Sequence, residues 1–132
     1  MNPPIPRLEL FLADRFTPSE DPATRLTLPN DADPLTVALE GVAVVELQFP
    51  KFTDGRAFSQ AFLLRRRRGF QGHIRAIGDV LIDPLQQMQR SGFSQAVLRA
   101  DQSLEHARTL LSLFPAHYQG DAVQTAPRFA TA

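Results

Sequence analysis

The sequence predicts an α/β domain built on a parallel sheet, and three observations carry that prediction. From Arg25 onward, short apolar runs alternate with stretches of helical periodicity, in the order strand, helix, about four times over. The strongest run, Val42 to Phe49, is almost continuously apolar, the pattern of a strand covered on both faces. Glycine or proline punctuates each unit. Parallel strands joined by helices make right-handed crossovers. Two arrangements satisfy that order: an open three-layer sheet, or a half-barrel of four units whose open edge strands call for a second copy, a homodimer.

The elements follow in chain order. Residues 1–24 form an N-terminal arm, proline-rich at 1–6, with one short strand at Leu8–Leu12 and a loop over 13–24. The single α/β domain spans 25–115. Leu26–Leu28 is its first strand, and Pro29-Asn30-Asp31 ends it. Pro34 to Glu40 is expected to be a short helix, capped by Asp33 and stopped by Gly41. After the Val42–Phe49 strand, Phe58, Ala61, Phe62 and Leu64 recur at helical spacing within Arg56–Arg68. His73–Ile77 is a strand, Asp83 to about Arg90 a helix, Gln95–Arg99 the last strand and Leu104–Phe114 the last helix. Asp101 or Ser103 caps that helix and Pro115 stops it. Residues 116–132, rich in Ala, Gln and Thr, are expected to be a mobile tail.

Composition sets the bounds on function. The chain has 132 residues, enough for a core without staples or metals. Fourteen basic residues balance fourteen acidic ones, which argues against a nucleic-acid or membrane-surface binder. No cysteine is present, which removes disulfides, thiolate nucleophiles and thiolate metal sites. No apolar stretch approaches the ~20 residues needed to cross a bilayer, and the N-terminus has no secretory pattern, so the cytoplasm is expected.

Ligand sites in such sheets lie beyond the carboxyl ends of the strands. The loop Phe49-Pro50-Lys51-Phe52-Thr53-Asp54-Gly55-Arg56 lies there. Asp54 can cap the next helix, Gly55 allows close approach, and Lys51 and Arg56 suit an anion at the helix start. With one glycine it matches neither a Walker loop nor a dinucleotide fingerprint. A capped turn with a structural Arg56–carboxylate pair is the plainer alternative.

Three charges, Glu46, Arg75 and Arg99, fall inside apolar strands and require partners. Neighbouring strands would set Glu46 beside Arg75. Either Arg75 and Arg99 form an anion site oriented by Glu46, or Glu46 and Arg75 are a structural ion pair. Gly78-Asp79, with Asp83 four residues on, offers two carboxylates for acid–base work or magnesium, or simply turn and cap residues. The run Arg65–Arg68 ends a helix and is expected to be solvated there, favoured by the helix dipole. His73, His106 and His117 show no metal-ligand spacing, so no metal site and no cofactor is assigned.

The motif positions Phe49-Pro50-x-Phe52-x-Asp54-Gly55-Arg56-x-Phe58-Ser59-x-Ala61, Leu63-Leu64-Arg65, Gly69-Phe70-x-Gly72-x-Ile74-Arg75-Ala76-x-Gly78-Asp79-Val80-Leu81-x-Asp83 and Arg90-x-Gly92-Phe93 carry a resemblance. Over about residues 26–100 the chain resembles a bacterial family of small uncharacterised proteins, encoded beside the hemoprotein subunit of assimilatory sulfite or nitrite reductase. Its members are often labelled oxidoreductases of sulfite reduction, from gene neighbourhood. Two departures stand out: Asp83-Pro84 where members tend to carry Asp-Gln, and Arg90-Ser91-Gly92-Phe93 where they carry Arg-Cys-Gly-Phe. With Ser91 there, this chain has no thiol at that position to handle sulfur. The resemblance implies Asp54, Arg56, Arg75, Asp79 and Asp83 as positions to carry over.

Two functions are expected in competition. One is an accessory protein of sulfite or nitrite assimilation, with the reductase hemoprotein as partner. The other is a small-anion-binding enzyme or oxidoreductase of sulfur assimilation, with Asp54, Gly55, Arg56, Arg75, Asp79, Asp83 and Arg99 at the strand ends. Nucleic acid and membrane are not expected partners.

Overall fold

A computed structural model describes residues 8–113. The stretch 1–6 and the tail 116–132 discussed above lie outside the described residues. Five strands, β1 (Glu9–Leu12), β2 (Arg25–Leu28), β3 (Val44–Phe49), β4 (His73–Gly78) and β5 (Gln95–Leu98), form one sheet in the order β1-β5-β4-β3-β2. Every pairing is parallel. Three helices, α1 (Arg56–Arg66), α2 (Leu85–Ser91) and α3 (Leu104–Ser112), follow β3, β4 and β5 in turn. The expected class, an α/β fold on a parallel sheet, is the observed one; of the two arrangements left open the sheet fits the open one, but with its three helices on one face rather than in three layers.

Strand alternation sorts the two faces of the sheet. Val45, Leu47 and Phe49 of β3, Ile74 and Ala76 of β4, and Ala96 and Leu98 of β5 are buried in one core cluster. Ala57, Ala61 and Leu64 of α1, Leu85 and Met88 of α2, and Ala107 and Leu111 of α3 fill the same cluster. The helices also pack on one another, α1 on α2 and α2 on α3. Right-handed crossovers progressing in one direction along the sheet place them together on that face. Phe49, Phe58 and Phe93 interlock at its centre, with ring centroids 5.2–6.3 Å apart.

The opposite face carries a different set, including Arg25, Thr27, Glu46, Arg75 and Gln95. A strap, residues 13–24, crosses it to connect β1 at one edge with β2 at the other. The strap ends in a single 3-10 turn, Pro22–Thr24, capped by Asp21. The arm is thus part of the domain's own sheet, since β1 adds an edge strand beside β5.

The helix expected at Pro34–Glu40 is absent. Only a turn forms there, with Asp33 Oδ1 accepting from the Leu35 amide at 2.9 Å. Seven residues barely repay helix nucleation. The Arg68 guanidinium also takes the carbonyls of Pro34 and Val37, each at 2.8 Å, so the segment is fixed as an irregular loop. Three strand–helix units follow from β3, not four from Arg25.

The arginine run is a solvated end only in part: Arg66 and Arg67 are exposed, while Arg65 and Arg68 turn inward. Arg65 donates to the carbonyls of Gly92, Phe70 and Gly72 at 2.7–2.9 Å, and burial pushes its pKa down to about 10. Arg65 and Arg68 thereby fasten three loops to the end of α1. Gly92, the left-handed cap of α2 at φ 111°, has to be glycine: a Cβ there would lie 2.5 Å from Arg65 Cγ.

Candidate functional site

The carboxyl edge of the sheet is organised by Asp79. Gly78 ends β4 at φ 98°, in a region L residues avoid, and an added Cβ would sit 2.5 Å from the Phe49 carbonyl oxygen. That close approach lets the Asp79 amide donate to Phe49 O at 2.8 Å and aims the carboxylate across the strand ends. Asp79 Oδ2 accepts from the Phe52 amide at 2.8 Å, in the loop after β3. Oδ1 accepts from Arg99 Nη1 at 2.7 Å, just after β5. Arg99 in turn grips Asp101 with Nε and Nη2, at 3.0 and 2.8 Å. One carboxylate therefore ties the loops of three adjacent strands.

These groups hold their charge firmly. Hydrogen bonds from Arg99 and the Phe52 amide lower the Asp79 pKa. Arg99 pulls Asp101 down to about 2, and Asp101 and Asp79 together raise Arg99. All three stay ionised around neutrality and have no proton to exchange there.

Asp54 and Gly55 lie in the adjoining loop, and Arg56 opens α1. Asp54 Oδ1 accepts from the Arg56 amide at 3.0 Å, a local turn bond, while Gly55 provides no side-chain cap for α1. The Arg56 side chain is exposed and makes no hydrogen bond or ion pair with another described residue. The same holds for Asp83, in the loop after β4. No three of His, Asp and Glu gather as a metal site among the described residues.

Arg75 belongs to a second constellation. The strand register sets Thr27, Glu46, Arg75, Gln95 and Glu9 side by side, one from each strand. They form one hydrogen-bonded row across the whole sheet. Thr27 Oγ1 donates to Glu46 Oε1 at 2.8 Å, and Arg75 Nη1 to Glu46 Oε2 at 2.8 Å. Arg75 Nε donates to Gln95 Oε1 at 2.9 Å, and Gln95 Nε2 to Glu9 Oε1 at 3.1 Å. From the strap, Glu20 meets the Arg75 fork with both oxygens, at 2.8 and 3.0 Å, while Arg25 Nη1 reaches Glu20 Oε2 at 3.0 Å. Phe16 lies on the guanidinium, 4.7 Å to its ring centroid.

Burial pushes the Arg75 pKa down, but the hydrogen bonds and charges of Glu20 and Glu46 outweigh it and raise the value overall. The Arg75 hydrogen bond takes Glu20 to about 2, against the upward push of burial.

Of the seven candidates, the structure joins Asp79 directly to Arg99, keeps Asp54, Gly55 and Asp83 in flanking loops with Arg56 at the start of α1, and assigns Arg75 to the sheet face. Arg75 and Arg99 share no hydrogen-bonding partner. Glu46 stands beside Arg75, as adjacent strands imply. Sequence reasoning missed Asp101, Glu20 and Gln95 as partners. Asp101 was legible in principle, two residues from a strand arginine; Glu20, 55 positions from Arg75, was not.

Comparison with curated proteins and with solved structures gave no match. A family model does match, over residues 24–129, which takes in β2 to α3 and both constellations except Glu9, Phe16 and Glu20. The chain therefore belongs to DUF934, a family described as a bacterial protein of unknown function.

Proposed function

We propose that the protein is an accessory protein of assimilatory sulfite or nitrite reduction that works by binding, with the reductase hemoprotein as its partner. The motif positions from Phe49 to Phe93 support the setting through their resemblance to proteins encoded beside that reductase. One observation carries the preference for binding over chemistry: the Asp79–Arg99–Asp101 chain. These are the groups an acid–base site would use, and each is fixed by charged partners in its ionised form. Around them the loop after β3 exposes Lys51, Phe52 and Arg56, a mix suited to contact with a protein surface.

The test is a gene deletion in the native host, grown with sulfate or with cysteine as sulfur source, and with nitrate or ammonium as nitrogen source. The expected result is slow growth on sulfate or nitrate only, and co-purification of the reductase with the tagged protein. Phe52→Ala with Arg56→Glu should abolish both. Normal growth on every source and no co-purification overturn the proposal.

A second reading, a small-anion-binding enzyme or oxidoreductase at the strand ends, is favoured by the exposed cations Lys51 and Arg56 at the start of α1. Sulfite turnover by the purified protein without the reductase, supplied with an artificial electron donor or acceptor, would decide for it.

A further inference from the structure

Of the groups around Arg75, Thr27, Glu46, Gln95, Glu9 and Arg25 come from strands; Glu20 and Phe16 do not. Glu20 is delivered by the strap, whose residues 13–20 form no helix or strand. The row also closes without it, since Nε is held by Gln95 and Nη1 by Glu46. What Glu20 occupies is the Nη1/Nη2 edge of the guanidinium, with one oxygen on each side of the fork. A free carboxylate or a phosphate-like anion takes that edge of an arginine in the same way.

The surroundings are those of a built seat. The Arg75 side chain is 2% exposed and its orientation is fixed by Gln95 and Glu46 on two neighbouring strands. Arg25 adds a second cation from β2, aimed at the same Glu20 oxygen. Phe16 covers the guanidinium plane. With Glu20 removed, Arg75 and Arg25 outweigh Glu46, the one carboxylate left in contact with them, by one positive charge, while Glu9 lies exposed beyond Gln95. Among the described hydrogen bonds, residues 16–20 are tied to the sheet through the Glu20 carboxylate alone.

We propose that Arg75 and Arg25 form a binding site for a small oxyanion, and that Glu20 is a tethered stand-in for that ligand, displaced when the strap lifts. The site lies on the sheet face and shares no group with the Asp79–Arg99 edge. It depends on no partner protein, so it stands or falls separately from the accessory role.

Thermal melts in formate, sulfite, sulfate and phosphate, each against chloride at equal ionic strength, test it. Wild type should respond as it does to chloride only while the oxyanion stays below the effective concentration of the tethered carboxylate, on the order of millimolar or more. Glu20→Ala should melt lower, and at least one oxyanion should raise it on the order of 4 °C beyond chloride. Adding Arg25→Gln should remove most of that gain. The oxyanion giving the largest shift identifies the ligand class.

Glu20→Gln keeps the shape and weakens the stand-in, so it should show the same selectivity if Glu20→Ala does not fold. A response equal to chloride in whichever variant folds overturns the proposal. On wild type, the Arg75 Nε–H resonance should move, together with the amides of residues 16–20, as formate is raised into competition. An unmoved resonance overturns it too.

Discussion

Glu46→Gln probes whether the sheet-face row carries stability. Glu46 is 12% exposed and accepts two bonds, from Thr27 Oγ1 and Arg75 Nη1, both at 2.8 Å. Glutamine has the same shape. Its oxygen can face Arg75 while its NH2 faces Thr27, whose hydroxyl turns to accept. Packing and hydrogen-bond number are thus kept, and what disappears is the negative charge beside a buried guanidinium. A hydrogen bond to a charged group contributes about 1.5–3 kcal/mol. Full loss of a partner to a buried ion costs about 3–5 kcal/mol. Glu20 remains on Arg75, so the lower range applies, and about 2 kcal/mol is expected. For a chain of this size that is a drop in Tm of roughly 6–10 °C. Glu40→Gln, at an exposed turn position, should stay within about 0.5 kcal/mol of wild type. The assay is a circular-dichroism melt of the three proteins at pH 7, repeated at ~1 M salt, where a buried pair is little screened. Equal melting temperatures for the two variants would refute the reasoning.

Four further outcomes follow from the same geometry. The Glu20 pKa falls from 4.5 to about 2 on folding, so its contribution is fully present above about pH 4.5 and is lost as pH falls toward 2. It amounts to at most about 3 kcal/mol, and the stability gap between wild type and Glu20→Gln should close across that window in acid titrations. Arg65→Met leaves the carbonyls of Gly92, Phe70 and Gly72 without their donor and should cost roughly 2–4 kcal/mol in urea unfolding. Gly78→Ala forces a Cβ against the Phe49 carbonyl at positive φ, and should cost more than about 1 kcal/mol by the same assay. Asp79→Ala removes both the acceptor of the Phe52 amide and the charge that holds Arg99, so amide exchange should quicken at Phe52 with little change in Tm.

The sequence was most legible where burial leaves a period. The apolar run of β3, the helical spacing of Phe58, Ala61 and Leu64 in α1, and Ser103, one of the two cap candidates for α3, report local rules and appear in the structure, whereas Phe62 of the same α1 set is exposed. A charge inside an apolar strand was equally informative, because Arg75 had to find a partner and Glu46 was on the next strand. Legibility failed where a side chain reached across the fold. Arg65 and Arg68 read as a solvated helix end because nothing in a run of arginines shows which ones turn inward to carbonyls. The segment 34–40 had a cap, a proline and a stop, yet Arg68, 31 and 34 residues away, claimed its carbonyls. Glu20 sat in a stretch with no periodicity, so its seat on Arg75 left no trace in the pattern.

The order of synthesis gives β1 an awkward position. It is made before the other described strands, but its neighbour among them is β5, and Glu9 waits for Gln95, 86 residues later. A nascent chain that has reached only α2 has no seat for β1, so Leu8, Leu10 and Leu12 remain uncovered. The strap cannot be drawn across the sheet either, since its upstream end is not yet anchored. Chains interrupted before β5 should therefore expose an apolar N-terminal segment together with an unoccupied Arg75, and should be the forms most prone to aggregate or to be degraded.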